Sequence, residues 1–290
     1  MKPAAFEYHR PQSLEQALAL LERHGDTARI LAGGQSLAPM LNMRLAQPAH
    51  LIDVNDLDQI AQIRDAGENL AVGALVRHDD LARSSLVQAA CPLLAEAAST
   101  VGHYAIRQRG TLGGSLAHAD PAAQLPLVAV VLDAAIDVVG PRSRRTIAAR
   151  EFFVAMMTTA LAPDEILVEA RFPKRGAGEG VAFEIFSRRR GDFALVAVAA
   201  SVTLDGANRV SRLRLGVGGV HAVPATFDDV MQAQHGRVAS AHWCREVAEA
   251  ACGRIQPEES RLVPAEYRRE LCEALTQRAL ERAVERARAR

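Results

Sequence analysis

Two glycine-rich segments carry the residue types of this sequence that are best suited to binding a ligand. The first runs from Ala32 to Leu37 (AGGQSL), after a short apolar run and before a stretch with helical spacing. Adjacent glycines let the chain turn sharply and let a ligand approach the backbone, because no Cβ stands in the way. Successive backbone N–H groups can then converge on an anion, and the start of a helix adds positive potential. With the Ser36 hydroxyl as a further donor, this segment suits a pyrophosphate.

The second segment runs from Thr111 to Pro121 (TLGGSLAHADP) and has paired glycines between hydroxyl side chains. Two such segments suit an elongated ligand such as a dinucleotide, although a lone pair of glycines more often marks a turn. Neither segment contains the phosphate-binding string GxxxxGK or the dinucleotide string GxGxxG. The stretch Gly216–Gly219 (GVGG) also lacks the third glycine, and we interpret it as the end of a strand.

Helices and strands in mixed order flank both segments. Ser13 and Gly25 are typical of the start and the end of a helix, and apolar residues lie between them at 14, 17, 18 and 21. We expect Gly110–Pro121 to be a loop, because glycine and small polar residues dominate it. The other elements predicted before residue 173 are strands at 29–31, His50–Val54, Leu70–Gly73, Ala135–Val139 and Glu165–Phe172, a helical turn at Asp79–Arg83, and helices at Leu93–Val101 and Leu125–Leu132.

The stretch Pro173–Gly180 (PKRGAGEG) is rich in glycine and charge, and it is the best candidate for a linker. Beyond it, the pattern predicts the strands Val181–Ser187, Ala194–Leu204 and Leu213–Val217 of a mainly antiparallel sheet. Helices follow, of which the last, Ala265–Arg290, is long and amphipathic. The chain is therefore predicted to have an α+β fold with two domains.

The composition narrows the class of protein. Lys+Arg and Asp+Glu both number 34 in 290 residues, so the formal net charge is +0, which argues against a nucleic-acid partner. The four cysteines include no CxxC pair, so we expect no zinc or iron–sulfur site of its own and no metal ligands. The N-terminal residues show no signal-peptide pattern, and no run of 18 apolar residues predicts a membrane span. We therefore expect a cytoplasmic protein.

The two glycine segments carry a resemblance to a known family. Residues 32–55 (AGGQSLAPMLNMRLAQPAHLIDVN) and 111–126 (TLGGSLAHADPAAQLP) resemble the two FAD signatures of the medium, flavin-binding subunits of carbon monoxide dehydrogenase and related molybdenum hydroxylases, the family that includes xanthine dehydrogenase. The opening PAAFEYHRP, the run RRRGDFALVAVAA at 188–200 and the GVGG stretch are also similar to that family. The resemblance covers essentially the full chain in order.

The resemblance implies a fold and a cofactor. Residues 1–175 would form an FAD-binding domain of the vanillyl-alcohol-oxidase type, with two subdomains at about 1–57 and 58–175 that grip FAD between them. Residues 180–290 would form the C-terminal domain of carbon monoxide dehydrogenase flavoproteins, a small antiparallel sheet with helices. The residues that the resemblance assigns to FAD are Ala32, Gly33, Gly34, Gln35, Ser36, Leu37, Val101, Thr111, Leu112, Gly113, Gly114, Ser115, Gln124, Leu167 and Ile185.

Three of these positions depart from the family pattern. Ser115 stands where many relatives have Asn, and Gln124 stands where Asp or Glu is common. Ile185 lies near a position that lysine often fills, so it lacks an ammonium near the flavin. Charge near the ring tunes a flavin's potential, so the electron acceptor (NAD, a quinone or oxygen) does not transfer from relatives.

By resemblance, this chain would pass electrons from iron–sulfur clusters through FAD to an external acceptor and would contribute no acid–base catalytic residue. Substrate oxidation would occur in a large molybdopterin-binding subunit, a small subunit would carry the 2Fe-2S clusters, and the assembly would be a dimer of heterotrimers. Two alternatives stay open: a self-standing flavin oxidoreductase of the same fold that acts on a small substrate, and an assembly subunit that has lost its flavin.

Two further groups of residues have ordinary interpretations. Arg188, Arg189 and Arg190 could bind phosphate, NAD or a partner, but a solvated turn is the more typical role of a charge run. His103, His118 and Asp120 lack a recognised metal-ligand spacing. Asp120 is instead predicted to fix its loop, since Asp caps turns and Pro121 restricts the residue before it.

Overall fold

The computed structural model describes residues 2–257, 259 and 263–289. Within these ranges the strands form a three-stranded, a five-stranded and a four-stranded sheet and one two-stranded hairpin. Helices and strands mix along the chain, as the α+β prediction requires. No helix in the described part of the chain combines the length and the apolar character that a membrane crossing needs.

The first sheet belongs to a small lobe, which we call the first lobe (residues 7–53). Its elements are β1 (Glu7–His9), α1 (Leu14–His24), β2 (Ala28–Leu31), α2 (Leu37–Asn42) and β3 (His50–Asp53). The strand order is β1-β3-β2, and both pairings are parallel. The predicted helix α1 is confirmed, because the Ser13 side chain accepts the N–H of Gln16 and the helix ends at His24 before Gly25. Its buried face holds Leu18 and Leu21 against the sheet.

The second lobe (residues 63–173) surrounds a five-stranded sheet of order β4-β5-β10-β6-β7. Its elements are β4 (Ile63–Ala66), β5 (Asn69–Gly73), α3 (His78–Arg83), α4 (Ser85–Ala90), α5 (Pro92–Thr100), α6 (Tyr104–Arg107), α7 (Leu112–His118), α8 (Gln124–Val131), β6 (Ala135–Val139), β7 (Arg144–Ala148), α9 (Ala149–Phe152), β8 (Phe153–Ala155), β9 (Thr158–Thr159) and β10 (Ile166–Pro173). Every residue of α8 is buried, which confirms the helix predicted from this apolar run.

The expectation that Gly110–Pro121 is a loop was wrong, because helix α7 occupies most of it. The Thr111 side chain caps this helix by accepting the N–H of Gly114 at 3.1 Å. The low helix propensity of two glycines is overridden by packing. A Cβ on Gly113 would lie 2.6 Å from the Cβ of Ala74, so only glycine lets the helix lie this close to the end of β5.

The C-terminal module comprises β11 (Glu179–Phe186), β12 (Val196–Leu204), β13 (Val210–Gly218), β14 (Ala225–Thr226), α10 (Asp228–Gln232), α11 (Ala241–Cys252) and α12 (Ala265–Arg288). Its sheet is antiparallel throughout, as predicted. The linker is shorter than expected, since β10 includes Pro173 and β11 begins at Glu179. The N–H groups of Lys174 and Arg175 donate to carbonyls of the second lobe, so this stretch is also held in place. The predicted end of the last helix at Arg290 lies outside the described residues.

The C-terminal module packs directly on the second lobe through the GVGG stretch. Gly216 and Gly218 lie in β13 against α8, where a Cβ on Gly216 would come within 2.5 Å of the Val131 side chain. The stretch is therefore the end of a strand, as predicted, and its glycines permit close packing rather than ligand binding. One apolar core continues from β5 and β10 into β11 and β12, and it includes Phe183 and Ala197.

Candidate functional site

The two glycine segments, although 80 residues apart in sequence, are in direct backbone contact. A Cβ on Gly33 would lie 2.1 Å from the carbonyl oxygen of Arg109 and 2.8 Å from the Cα of Gly110. A Cβ on Gly114 would lie 4.0 Å from the Cβ of Ala32. The first segment lies at the end of β2 in the first lobe and the second lies in the second lobe, so the two lobes meet at this point.

The first glycine segment presents a row of unpaired donors. Across the part of the chain that the structure describes, the backbone N–H groups of residues 33–37 donate no hydrogen bond. The Ser36 hydroxyl also has no partner there. Gly34 has a φ of 70°, a left-handed conformation that glycine adopts without strain. Consecutive free N–H groups around such a residue form an anion-binding concavity.

The second glycine segment uses its N–H groups to anchor itself. The N–H of Leu112 donates to the Val76 carbonyl at 3.0 Å, and that of Gly113 donates to the Ala74 carbonyl at 2.8 Å. The N–H of Gly114 is taken by the Thr111 cap. The segment therefore offers a ligand its exposed Gly114 backbone and its half-exposed Ser115 side chain, not a row of free amides.

A hydrogen-bond network fixes the first segment from below. Asp53, at the end of β3, accepts the Tyr8 hydroxyl, the Asn55 backbone N–H at 2.9 Å and the Asn55 side-chain amide at 2.6 Å. Burial opposes ionisation of Asp53, but these hydrogen bonds outweigh it and hold the pKa of the carboxyl below its ordinary value. The Asn55 amide also donates to the Ala32 carbonyl at 2.9 Å, which fixes the start of the segment.

The same network continues into the second lobe through Arg77. One Arg77 nitrogen donates to the Asn55 side-chain oxygen at 2.8 Å, and the other donates to the Arg109 carbonyl at 2.6 Å. Burial, and then the neighbouring Arg109 charge, lowers the pKa of Arg77. His78 follows, and its ring donates from Nε2 to the Thr111 carbonyl at 2.8 Å, because a carbonyl can only accept. Burial lowers the pKa of His78 to about 4, so the ring is neutral at neutral pH.

The cation of Arg109, beside the two segments, is unpaired among the residues that the structure describes. The Arg109 side chain is exposed and makes no hydrogen bond or ion pair with any residue that the structure describes. Its backbone carbonyl is the atom nearest to a Cβ built on Gly33, so the Arg109 side chain originates beside the first segment. Free amides and a free guanidinium are together suited to a phosphate-bearing ligand.

The remaining residues assigned to FAD lie on four other elements. Val101 follows α5, and its carbonyl accepts an Arg107 nitrogen at 3.2 Å. Gln124 begins α8; its side chain is 6% exposed and makes no hydrogen bond within the described ranges, so it is a buried amide available to a ligand. Leu167 is buried in β10, and Ile185 is half-buried in β11 beside the same core.

The residues with ordinary interpretations are placed as follows. His103 does not join His118 and Asp120 in any metal-binding group among the described residues. A Cβ on Gly191 would lie 2.5 Å from the His103 ring, so the turn that contains the exposed Arg188–Arg190 packs beside His103. Asp120 accepts the N–H of Ala122 at 2.8 Å and fixes its turn, as predicted.

Sequence reasoning missed Asp53, Asn55, Arg77, His78 and Arg109, which fasten the two segments to each other. Asp53 and Asn55 stood within the first signature, so a polar pair directly after a predicted strand was an available signal. Arg77, His78 and Arg109 lie outside both signatures, and their role follows only from the contact between the lobes.

Comparisons with known proteins identify the family. Residues 4–175 match the model of the FAD binding domain in molybdopterin dehydrogenase, and residues 181–283 match that of the CO dehydrogenase flavoprotein C-terminal domain. The chain is 39% identical to 6-hydroxypseudooxynicotine dehydrogenase complex subunit alpha of Paenarthrobacter nicotinovorans, over 99% of this chain and 97% of that protein. It is 36% identical to the carbon monoxide dehydrogenase medium chain of Hydrogenophaga pseudoflava, over 97% of each chain.

Solved structures agree with the sequence matches. A chain of carbon monoxide dehydrogenase from Hydrogenophaga pseudoflava superposes with a TM-score of 0.95 at 36% identity and covers 99% of both chains. A chain of quinoline 2-oxidoreductase from Pseudomonas putida 86 superposes with a TM-score of 0.94 at 33% identity and covers 99% of both chains. The chain therefore belongs to the family of FAD-binding medium subunits of molybdenum hydroxylases, and it is an FAD-dependent oxidoreductase subunit.

Proposed function

We propose that this chain is the flavoprotein of a heterotrimeric molybdenum hydroxylase in the cytoplasm. A large molybdopterin-binding subunit would oxidise the substrate, and a small 2Fe-2S subunit would pass the electrons on to this chain. Two heterotrimers would form the complete assembly. Relatives described as a medium chain, a subunit alpha of a complex and a subunit beta support this division of labour.

The observation that carries the proposal is the row of free backbone N–H groups at residues 33–37, which packs against the second lobe at Arg109. A pyrophosphate carries acceptor oxygens and negative charge, so it would satisfy these donors and the free Arg109 guanidinium. When bound, FAD supplies the one- and two-electron redox chemistry that side chains lack. The residues present therefore fit the cofactor that the family requires.

Each predicted residue has a proposed role toward FAD. Ala32, Gly33, Gly34, Gln35, Ser36 and Leu37 would bind the pyrophosphate. In the second segment, Thr111, Leu112 and Gly113 would hold the segment in place, while Gly114 and Ser115 would contact the cofactor. Gln124 would use its unpaired buried amide as a donor or an acceptor. Val101, Leu167 and Ile185 would provide apolar contacts, and Ile185 would leave the flavin without a neighbouring ammonium.

The proposed domain boundaries place both glycine segments in the first domain. Residues 1–175 would form the FAD-binding domain, with subdomains at about 1–57 and 58–175. Residues 180–290 would form the C-terminal domain. The continuous apolar core that includes Phe183 supports a C-terminal domain that stiffens the second lobe rather than one that moves freely.

The flavin content of the complex purified under native conditions tests the proposal. We expect one FAD per copy of this chain, measured by absorbance and by identification of the flavin released with acid. The small 2Fe-2S subunit should copurify and add the absorbance of its iron–sulfur clusters. A colourless complex that takes up no added FAD would favour the flavin-free assembly subunit. Reduction of the flavin by a small substrate in this chain alone would favour the self-standing oxidoreductase.

A further inference from the structure

Three histidines from separate elements meet on one face of the first lobe. We call them, with Glu7, the histidine cluster: His9 in β1, His24 at the end of α1, and His50 at the start of β3. The parallel register pairs Glu7 with His50 and His9 with Ile52. Because side chains alternate along a strand, Glu7, His9 and His50 project from the same face of the sheet. Helix α1 contacts β3, and its final residue adds the third imidazole.

Three of the polar atoms have the spacing of one face of a metal coordination shell. His9 Nε2 lies 3.1 Å from His50 Nδ1, and Glu7 Oε2 lies 3.8 Å from the first of these atoms and 3.5 Å from the second. A tetrahedral zinc ion with bonds of about 2.0–2.1 Å holds its ligand atoms about 3.3 Å apart. These three atoms therefore already form approximately one face of such a tetrahedron. The ligand atoms offered by the three histidines all lie within 4.8 Å of one another.

The third imidazole has an unexplained nitrogen. His24 Nε2 is buried and has no hydrogen-bond partner in the described part of the chain, while its ring centroid lies 3.7 Å from that of His50. A buried polar atom without a partner costs about 1–3 kcal/mol, so such an atom calls for an explanation. A metal ion among the three rings would give this nitrogen a partner.

We propose that His9, His24 and His50 form a zinc-binding site, with the exposed Glu7 carboxylate turning in as the fourth ligand. Three imidazoles and one carboxylate are ligands that zinc accepts, whereas magnesium and calcium prefer oxygen alone. Binding would replace the hydrogen bond between His9 and His50. Zinc binding involves no redox change. Both histidines would carry their proton on the other ring nitrogen, so no net proton release is needed.

The position of the site indicates a structural role. His50 begins β3 and Asp53 ends it, so about 10 Å of strand separates the histidine cluster from the network under the first glycine segment. Zinc has no redox chemistry, so it would leave electron transfer at the flavin unchanged. It would instead cross-link β1, α1 and β3, and so stabilise the lobe that carries the free N–H groups.

Zinc titration of the full-length chain tests the site, after treatment with a chelator and removal of the chelator. We expect one equivalent of Zn²⁺ to bind in calorimetry and Co²⁺ to give the visible absorption of a tetrahedral site. His24→Ala and His24→Gln should weaken zinc affinity at least about 10-fold, because each removes one ligand of the shell. The exposed His242, which lies outside the cluster, provides the matched control His242→Ala.

Thermal unfolding gives a second measurement on the same proteins. Zinc at about 100 times its Kd should stabilise the wild type and the control, and the two His24 variants should lose this shift. The proposal is overturned if the wild type binds no zinc, or if the His24 variants bind it as tightly as the control. Flavin content is measured separately, so failure of the zinc site would leave the FAD assignment untouched.

Discussion

Substitution of Gly33 by alanine tests whether the contact between the two lobes controls FAD binding. The added Cβ would lie 2.1 Å from the Arg109 carbonyl oxygen. The atoms that it would meet belong to the backbone of Arg109 and Gly110, so no side chain can rotate away to make room. A contact of at least about 3 Å requires the two segments to separate by about 1 Å. Overpacking of this kind costs about 1–3 kcal/mol. If that cost falls on the cofactor-bound arrangement, FAD affinity should fall roughly 5- to 150-fold.

The assay compares FAD retention in Gly33→Ala, the wild type and Gly206→Ala. Gly206 is a matched control, because a Cβ there meets nothing within 4 Å and its φ is not in the left-handed region. FAD per chain is measured after gel filtration, and the dissociation constant is measured by fluorescence titration. Wild-type affinity in Gly33→Ala, with unchanged thermal unfolding, would refute the argument that the close approach of the two backbones positions the donors.

Three further predictions concern charge, pH and packing. Arg109→Ala should weaken FAD binding about 5- to 10-fold without lowering the melting temperature, because a lone guanidinium beside a phosphate contributes about 1 kcal/mol or more. An FAD titration of this variant beside Arg142→Ala, which changes an exposed arginine elsewhere, checks this. Burial lowers the pKa of His78 from 6.5 to about 4, so the unfolded chain takes up this proton at a higher pH than the folded chain does. The free energy of unfolding should therefore be unaffected by His78 above pH 6.5 and should fall by up to about 3 kcal/mol between pH 6.5 and pH 4. His78→Gln retains a donor for the Thr111 carbonyl, and urea unfolding across this pH range should show a shallower decrease; an equal decrease would contradict the assignment. Trp243 is 1% exposed in the C-terminal module, so Trp243→Ala should reduce the free energy of unfolding by about 3–5 kcal/mol while FAD content at low temperature stays near normal.

Much of the fold could be predicted because its elements have local signals. The caps at Ser13 and Gly25 bound α1, and the apolar run after Gln124 became the fully buried α8. The α+β class and the family fold were confirmed by the architecture and by the superposed structures. Helix α7 was missed because its two glycines have low helix propensity, and the close packing of Gly113 against Ala74 is a tertiary contact that no local pattern encodes.

The candidate site was predictable in part for the same reason. Glycine pairs and hydroxyls are local, so the segments at 32–37 and 111–115 could be selected from sequence. The unequal roles of the two segments could not be predicted from sequence. N–H groups of the second segment donate to the carbonyls of Val76 and Ala74, which lie about 40 residues earlier in the chain. The histidine cluster was invisible for the same reason: residues 9, 24 and 50 have no ligand spacing until the strands align.

The position of β10 in the five-stranded sheet sets an order of events during synthesis on the ribosome. Strand β5 pairs with β10, so that Leu70 lies opposite Phe172, and the Ala74 N–H donates to the Val168 carbonyl at 2.9 Å. The pairing of β5 with β10, beside which the second glycine segment packs, is therefore incomplete until residue 173 has left the exit tunnel. At about 5–20 residues per second, this pairing forms on the order of ten seconds after the first lobe has been synthesised. In the proposed FAD site, the cofactor would be captured only late in translation, and nascent chains that end before β10 should carry no flavin.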